Sequence, residues 1–144
     1  AWLPGPTVNF ATLRQCFDVF NEELAKAGKP RAADYPATRE LYCAPTHEEA
    51  VSVGGAAMYK FYKDTYLKWP HPRLRDEERA MDYDELAADR FIMGDPDECI
   101  EAVSKLQDMG ITQLSFRMQI PGLGSKDVIR SMELFMESVV PHFK

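Results

Sequence analysis

Between Ile111 and Ile120, the residues Leu114, Phe116, Met118 and Ile120 alternate strictly with Gln113, Ser115, Arg117 and Gln119. Such alternation has the period of a β-strand, so one face is apolar and the other carries a guanidinium, a hydroxyl and two carboxamides. Arg117 makes the strongest chemical demand, because a guanidinium taken out of water needs an anion or acceptor oxygens. Other chemistries find little support. No nucleophile stands beside a base. His47 and His71 lie far apart, and no carboxylate or cysteine joins them at ligand spacing, so no metal site is predicted. Gly122-Leu123-Gly124 is too short to cradle a phosphate, and Lys126 follows Ser125, which is not the order a phosphate loop uses. Cys16, Cys43 and Cys99 form no close pair in sequence and are expected as buried free thiols in a reducing compartment.

The elements that position these groups follow from caps and periodicity. Asn9 caps a predicted helix over about 10 to 27, in which Leu13, Phe17, Phe20, Leu24 and Ala27 recur at helical steps and Gly28 and Pro30 supply the stop. Thr38 to Ala44 (TRELYCA) reads as a strand ended by Pro45-Thr46. Thr46 and Glu49 make a capping box for a helix from His47 towards Tyr66, with Gly54-Gly55 expected to weaken its middle. Its aromatics Tyr59, Phe61, Tyr62 and Tyr66 are interleaved with lysines, a pattern expected here to be packed rings and solvated amines. Trp69 to Glu78 combines prolines with a charge run, and the stretch 67–82 is expected to be a loop or insertion. A short helix over Tyr83 to Arg90 and a brief extended run, Phe91 to Gly94, come next. Asp95-Pro96-Asp97-Glu98 then combines an N-cap, a first-turn proline and a capping-box glutamate, opening a helix to Met109. The strand 111–120, a loop at Pro121 to Gly124 and a last helix through Val128, Met132, Phe135 and Val139 complete the order.

With 144 residues, 45% of them hydrophobic and 28% charged, the chain can form one domain with a core. No apolar run approaches the ~20 residues of a membrane helix and no leader opens the chain, so a soluble, cytoplasmic protein is expected. The net charge of −6 argues against nucleic acid as a partner. Helices and strands alternate as in an α/β protein with parallel strands. Two good strands and two short ones cannot close a barrel, however, and Ala1-Trp2-Leu3-Pro4-Gly5-Pro6 reads as a chain entered midway.

The same residues resemble the luciferase-like flavin monooxygenases. Trp2 to Thr7 is similar to a strand end and turn of that family, Thr38 to Ala44 to its penultimate strand, and Phe91 to Glu98 to its Gly-Ser/Thr-Pro-Glu-Glu helix entry, with Asp95 in the hydroxyl position. Phe116 to Gly122 resembles the final barrel strand and loop, and Ser131 to Pro141 the closing helix. The match spans nearly the whole chain, least clearly Tyr66 to Asp82.

The resemblance implies the C-terminal part, about three strands with their helices, of a (β/α)₈ TIM barrel, a fold of ~250 residues when complete. Leu114, Phe116, Met118 and Ile120 then face the helices, leaving Ser115, Arg117 and Gln119 inside, with Gln119 nearest the mouth. Glu40, on the neighbouring strand, is the carboxylate expected to meet Arg117. Such a pair is by itself a solvation device. In the functional reading Arg117 polarises or positions a flavin's pyrimidine edge, and Trp2 walls the flavin or substrate or simply fills the core. The implied parent activity is oxidation of a small organic substrate by O₂ with reduced FMN from a separate flavin reductase. A deazaflavin-dependent oxidoreductase on the same barrel is the neighbouring alternative. A non-catalytic fragment acting in folding or association is the alternative from another class. The catalytic groups would lie in the earlier strands, so the 144-residue segment alone is expected to be inactive. Its partners would be the rest of the barrel or a second copy.

Overall fold

In the computed structural model, residues 3–68 and 76–143 are described. Helix α1 (Phe10–Lys26) is followed by β1 (Pro36–Cys43), then by a continuous helical path made of α2 (His47–Glu49), a π-helical stretch (Ala50–Gly55) and α3 (Ala56–Asp64). A 3₁₀ turn (Asp76–Arg79) and α4 (Tyr83–Ala87) lead to β2 (Ile92–Gly94), α5 (Pro96–Asp108), β3 (Gln113–Arg117) and α6 (Ser125–Ser138). The helix entries form as their caps dictate. Asn9 accepts from the Thr12 N–H at 2.8 Å, and Asp95 and Glu98 form a reciprocal capping box around Pro96.

All pairings are parallel and the sheet order is β2-β1-β3, with Leu41 opposite Ile92 and Glu40 opposite Arg117. The two longer strands lie side by side as expected. Being central, β1 is buried almost throughout. The period of two sends Ala37, Arg39, Leu41 and Cys43 to one face with Leu114 and Phe116. Helix α6 covers that face: Phe116 stacks edge-on against Phe135 at 5.2 Å, and the Ser131 hydroxyl accepts the Cys43 N–H at 2.8 Å.

On the opposite face, the one expected to line a barrel, the path 50–64 lies over Glu40 and Tyr42. Gly54 and Gly55 make this possible. A Cβ on Gly54 would stand 2.4 Å from the Tyr42 ring, and one on Gly55 would stand 2.7 Å from the Tyr83 ring. The glycine pair therefore gives close approach rather than a weak point in the helix. The half of this face nearer the strand starts stays open, with Gln113 and Ser115 exposed.

Two boundaries also move, and one loop residue is buried. Strand β3 ends at Arg117 rather than at Ile120, since it has a partner on one side only. Helix α4 stops at Ala87 rather than at Arg90, because Asp89 takes φ +48° and turns Arg90 inward. In the expected loop, residues 69–75 lie outside the described residues, and Glu78 of the charge run is buried, its carboxylate bonded to the Arg90 guanidinium.

Candidate functional site

The parallel register places Glu40 and Arg117 at the same level on one face, so their side chains meet without help from any loop. Arg117 Nη2 donates to Glu40 Oε1, and the Tyr62 hydroxyl donates to the same oxygen at 3.0 Å. Arg117 Nη1 donates to the Tyr66 hydroxyl at 2.8 Å. The guanidinium also lies 5.0 Å from the centre of the Phe61 ring and 5.6 Å from that of Tyr66, within cation–π range. Tyr62 and Tyr66, four residues apart, come to one side of the path, Tyr66 in the turn after α3, and Phe61 flanks both rings edge-on at 6.2 and 5.3 Å.

The two charges differ in access. Glu40 is 0% exposed, and its Oε2 has no hydrogen-bond partner. Burial holds its carboxyl above the ordinary range, and the charge of Arg117 and the Tyr62 hydrogen bond only partly offset this. The Tyr62 phenol is likewise pushed up, by burial and then by the neighbouring carboxylate. Arg117 keeps 30% of its side chain exposed. Burial opposes its charge, but the hydrogen bond to Tyr66 and the carboxylate of Glu40 outweigh burial and hold it above its usual value.

A guanidinium has five N–H donors, of which the contacts to Glu40 and Tyr66 use two. Among the described residues the second N–H of each terminal nitrogen meets no acceptor and can take a carbonyl-rich or anionic edge, while the buried Nε has no partner there. Glu40 is sealed behind Tyr62 and Arg117, so a ligand approaching this cluster meets Arg117, and Glu40 acts through it. The arrangement can bind and orient an acceptor-rich group. Its described residues present no nucleophile with an adjacent base.

The remaining expected site residues are not drawn into this cluster. Gln119 is exposed on the segment beyond β3, and its amide donates to the Leu123 carbonyl at 3.3 Å. Trp2 lies outside the described residues. A groove of about 540 Å³ runs between α3 and the loop after β3, lined by Val53, Ala57, Phe61, Pro121 and Gly122 with Lys60 at its rim. Phe61 belongs both to this groove and to the cage around Arg117, which puts the groove beside the cation. A second cavity, of about 280 Å³, is lined by Tyr83, Phe91 and the His47–Glu98 pair (2.8 Å) among others, away from Arg117. Among the described residues no group of three or more His, Cys, Asp and Glu could hold a metal ion, and no helix is long and apolar enough to cross a membrane.

Sequence reasoning read the rings of α3 as packing only and did not place them around the ion pair. The spacing of Tyr62 and Tyr66, four residues apart with Phe61 adjacent, was the available signal. Nothing in the sequence located the face on which they would close.

Residues 1–113 match the family model described as luciferase-like monooxygenase. The chain is 34% identical over 87 residues to the alkanal monooxygenase alpha chain of Photobacterium leiognathi, an alignment covering 60% of this chain and 23% of that protein. Its fold is similar to the crystal structure of a monooxygenase from Streptomyces bottropensis, with a TM-score of 0.75 at 18% identity, over 99% of this chain and 41% of that one. It is also similar to a coenzyme F420 dependent tetrahydromethanopterin reductase from Methanopyrus kandleri, with a TM-score of 0.58 at 20% identity, over 97% of this chain and 43% of that one. The chain therefore spans less than half the length of each of these proteins.

Proposed function

The chain belongs to the luciferase-like monooxygenase family, and from that premise we propose that it supplies the C-terminal part of a flavin-dependent monooxygenase barrel in which Arg117 takes the flavin's pyrimidine edge. The observation that carries this reading is the cluster itself. A partly exposed guanidinium is fixed by a buried carboxylate and a phenol at the end of the last strand, the end at which barrel enzymes build their sites. A rigid, charged donor at that position suits a ring edge bearing carbonyl oxygens and, when reduced, negative charge.

The residues present fit part of the group. Arg117 would hold the pyrimidine edge, Tyr66 and Phe61 would stiffen the guanidinium, and the groove beside Phe61 would take apolar bulk. No phosphate cradle stands among the described residues, so that contact would come from elsewhere in the barrel. Reduced FMN, when bound, supplies the reducing power for O₂ to oxidise a small organic substrate. The residues of this chain orient it and exclude water.

In this reading the protein works in the cytoplasm, receives its reduced flavin from a separate reductase and is completed by the rest of the barrel or by oligomerisation. The 144-residue segment alone would not orient flavin and exclude water together, because such sites are assembled from several strand ends. The test is the visible spectrum of the flavin bound to the intact parent protein, with an Arg117→Ala variant alongside. FMN bound at least tenfold more weakly by the variant supports the reading. A bound deazaflavin would assign the protein to hydride transfer without O₂, and unchanged FMN affinity in the variant would remove Arg117 from the site.

A further inference from the structure

In the sequence the three cysteines stand far apart, but the fold brings two of them together. Cys43 ends β1, Cys99 stands near the start of α5, and the two are 1% and 0% exposed. Gly94 is the reason they meet. It is the cross-strand partner of Cys43, and a Cβ there would stand 2.2 Å from a Glu98 carboxylate oxygen and 2.7 Å from the Glu98 Cβ. The first turn of α5 can seat against the sheet only because that Cβ is absent. Once seated, the Cys99 thiol donates to the Gly94 carbonyl at 3.8 Å, an oxygen that also accepts the Ala44 N–H at 3.1 Å. The Cys99 sulfur thus lies against the residue that pairs with Cys43 in the sheet, which makes the two buried thiols neighbours.

The pair is chemically unequal. The neighbouring Cys99 thiol holds Cys43 below the ordinary thiol range, against burial and the charge of Asp95. Cys99 is held above that range by Cys43 and then by burial. Cys43 is thus the thiol that gives up its proton first, and thiolate character governs reaction with oxidants.

We propose that Cys43 and Cys99 form a modification site, a buried dithiol that hydrogen peroxide converts into an intramolecular disulfide joining β1 to α5. The Cys43 thiolate attacks one peroxide oxygen, the O–O bond breaks and hydroxide leaves, giving Cys43 sulfenic acid. The Cys99 sulfur then attacks the Cys43 sulfur, the S–O bond breaks as the S–S bond forms, and the oxygen departs as water. In total the two thiols lose two protons and two electrons, and one peroxide becomes two waters. Closing to an S–S bond of about 2.05 Å needs side-chain rotation and a small approach of the first turn of α5. Because both thiols are buried, oxidation proceeds through local opening of that turn and is slower than oxidation of an exposed thiol. The bridge then ties the end of β1 to the helix entry that also holds the His47–Glu98 pair.

The test treats the folded protein with hydrogen peroxide, blocks remaining thiols with N-ethylmaleimide and maps the unreduced digest by mass spectrometry. A peptide linking Cys43 to Cys99, formed within one chain, reversed by dithiothreitol and retained in Cys16→Ser, is the expected result. Cys16 lies on α1, outside both bridged elements, and serves as the internal control. Cys43 and Cys99 still free at peroxide exposures far beyond those that fully oxidise Cys16, and under conditions that open the first turn of α5 without unfolding the chain, would overturn the proposal. So would separate oxidation of each to sulfinic acid without a cross-link. The wild-type map decides by itself, and a Cys99→Ala variant, expected to lose the linked peptide, adds to it only if it folds.

Discussion

Two arginine sites, one buried and one partly open, lie on opposite faces of β1, built on the consecutive residues Arg39 and Glu40, and they use the same chemistry to different ends. On the helix-covered face, Arg39 Nη1 donates to the carbonyls of Pro6 and Val8 at 3.2 and 3.0 Å, and its guanidinium stacks 5.3 Å from the centre of the Phe10 ring. Arg90, two residues before the partner of Leu41, donates to the Leu86 and Thr7 carbonyls at 2.9 and 2.7 Å and to the Glu78 carboxylate. Three consecutive carbonyls, those of Pro6, Thr7 and Val8, are thus gathered by two guanidiniums that are 0% and 1% exposed. On the other face Arg117 has one carboxylate to itself, a phenol and partial access to solvent. The first site pins a segment, whereas the second holds a cation ready for something else.

The difference lies in charge matching and access rather than in residue type. Arg90 is paired with Glu78, no carboxylate is bonded to Arg39 among the described residues, and the two cations repel each other. Burial, with Arg90 adding to it and Glu40 opposing, lowers Arg39 to about 10. Its Nε and Nη2 have no hydrogen-bond partner among the described residues. A cation so enclosed can only be structural unless the segment over it moves. Arg117 is balanced by Glu40 and open on one side, which is what a binding group requires.

Substitutions can break the comparison, beginning with the largest effect. Glu78→Ala should destabilise the fold by about 3–5 kcal/mol in a denaturant titration, because it leaves Arg90 buried without its carboxylate beside a second cation. A loss below about 1 kcal/mol would mean that Arg90 finds water or another anion. Arg39→Ala should cost about 2–4 kcal/mol, through a cavity and two carbonyls deprived of their donor. Arg39→Met should cost less, since it fills the volume without burying unpartnered N–H groups.

Glu40→Gln should change stability by less than about 1 kcal/mol near neutral pH, as it keeps the shape and an acceptor for Tyr62 and replaces a carboxylate whose ionised form burial disfavours. It should also change the pH profile. The carboxyl of Glu40 is raised in the folded chain above its ordinary 4.5, so the fold binds that proton more tightly than the unfolded chain does. Its contribution is fully present below about 4.5 and is lost as pH rises through the folded value. Wild type should therefore lose stability relative to Glu40→Gln as pH climbs through that window, and parallel profiles would show that Glu40 is not perturbed. Gln119→Ala marks the small end, within about 0.5 kcal/mol, since the side chain is exposed and makes one long bond to its own loop. A larger loss would show that the loop after β3 depends on it.

Much of this was legible in the residues. Alternation in 111–120 assigned the faces of β3, and the Thr46 cap and the Asp95–Glu98 capping box located the entries of α2 and α5. These signals are local and act through neighbours a few residues apart, although Glu49 bonds Arg130 instead of closing a box on Thr46. The meeting of Glu40 with Arg117 was also readable, since two parallel strands with assigned faces leave few registers open. The rest depended on distance in space. Tyr62 and Tyr66 close over the ion pair only because Gly54 and Gly55 let their helix lie on Tyr42 and Tyr83. Glu78 is buried only because Arg90 is there to receive it, and Cys43 meets Cys99 only because Gly94 lacks a Cβ. Sequence by itself determined what each segment prefers to be and which family the chain resembles, for those rest on short-range sterics and pattern. Tertiary structure alone decided which charges and thiols become neighbours, because burial, pairing and close approach are properties of surfaces that exist only after the segments have packed.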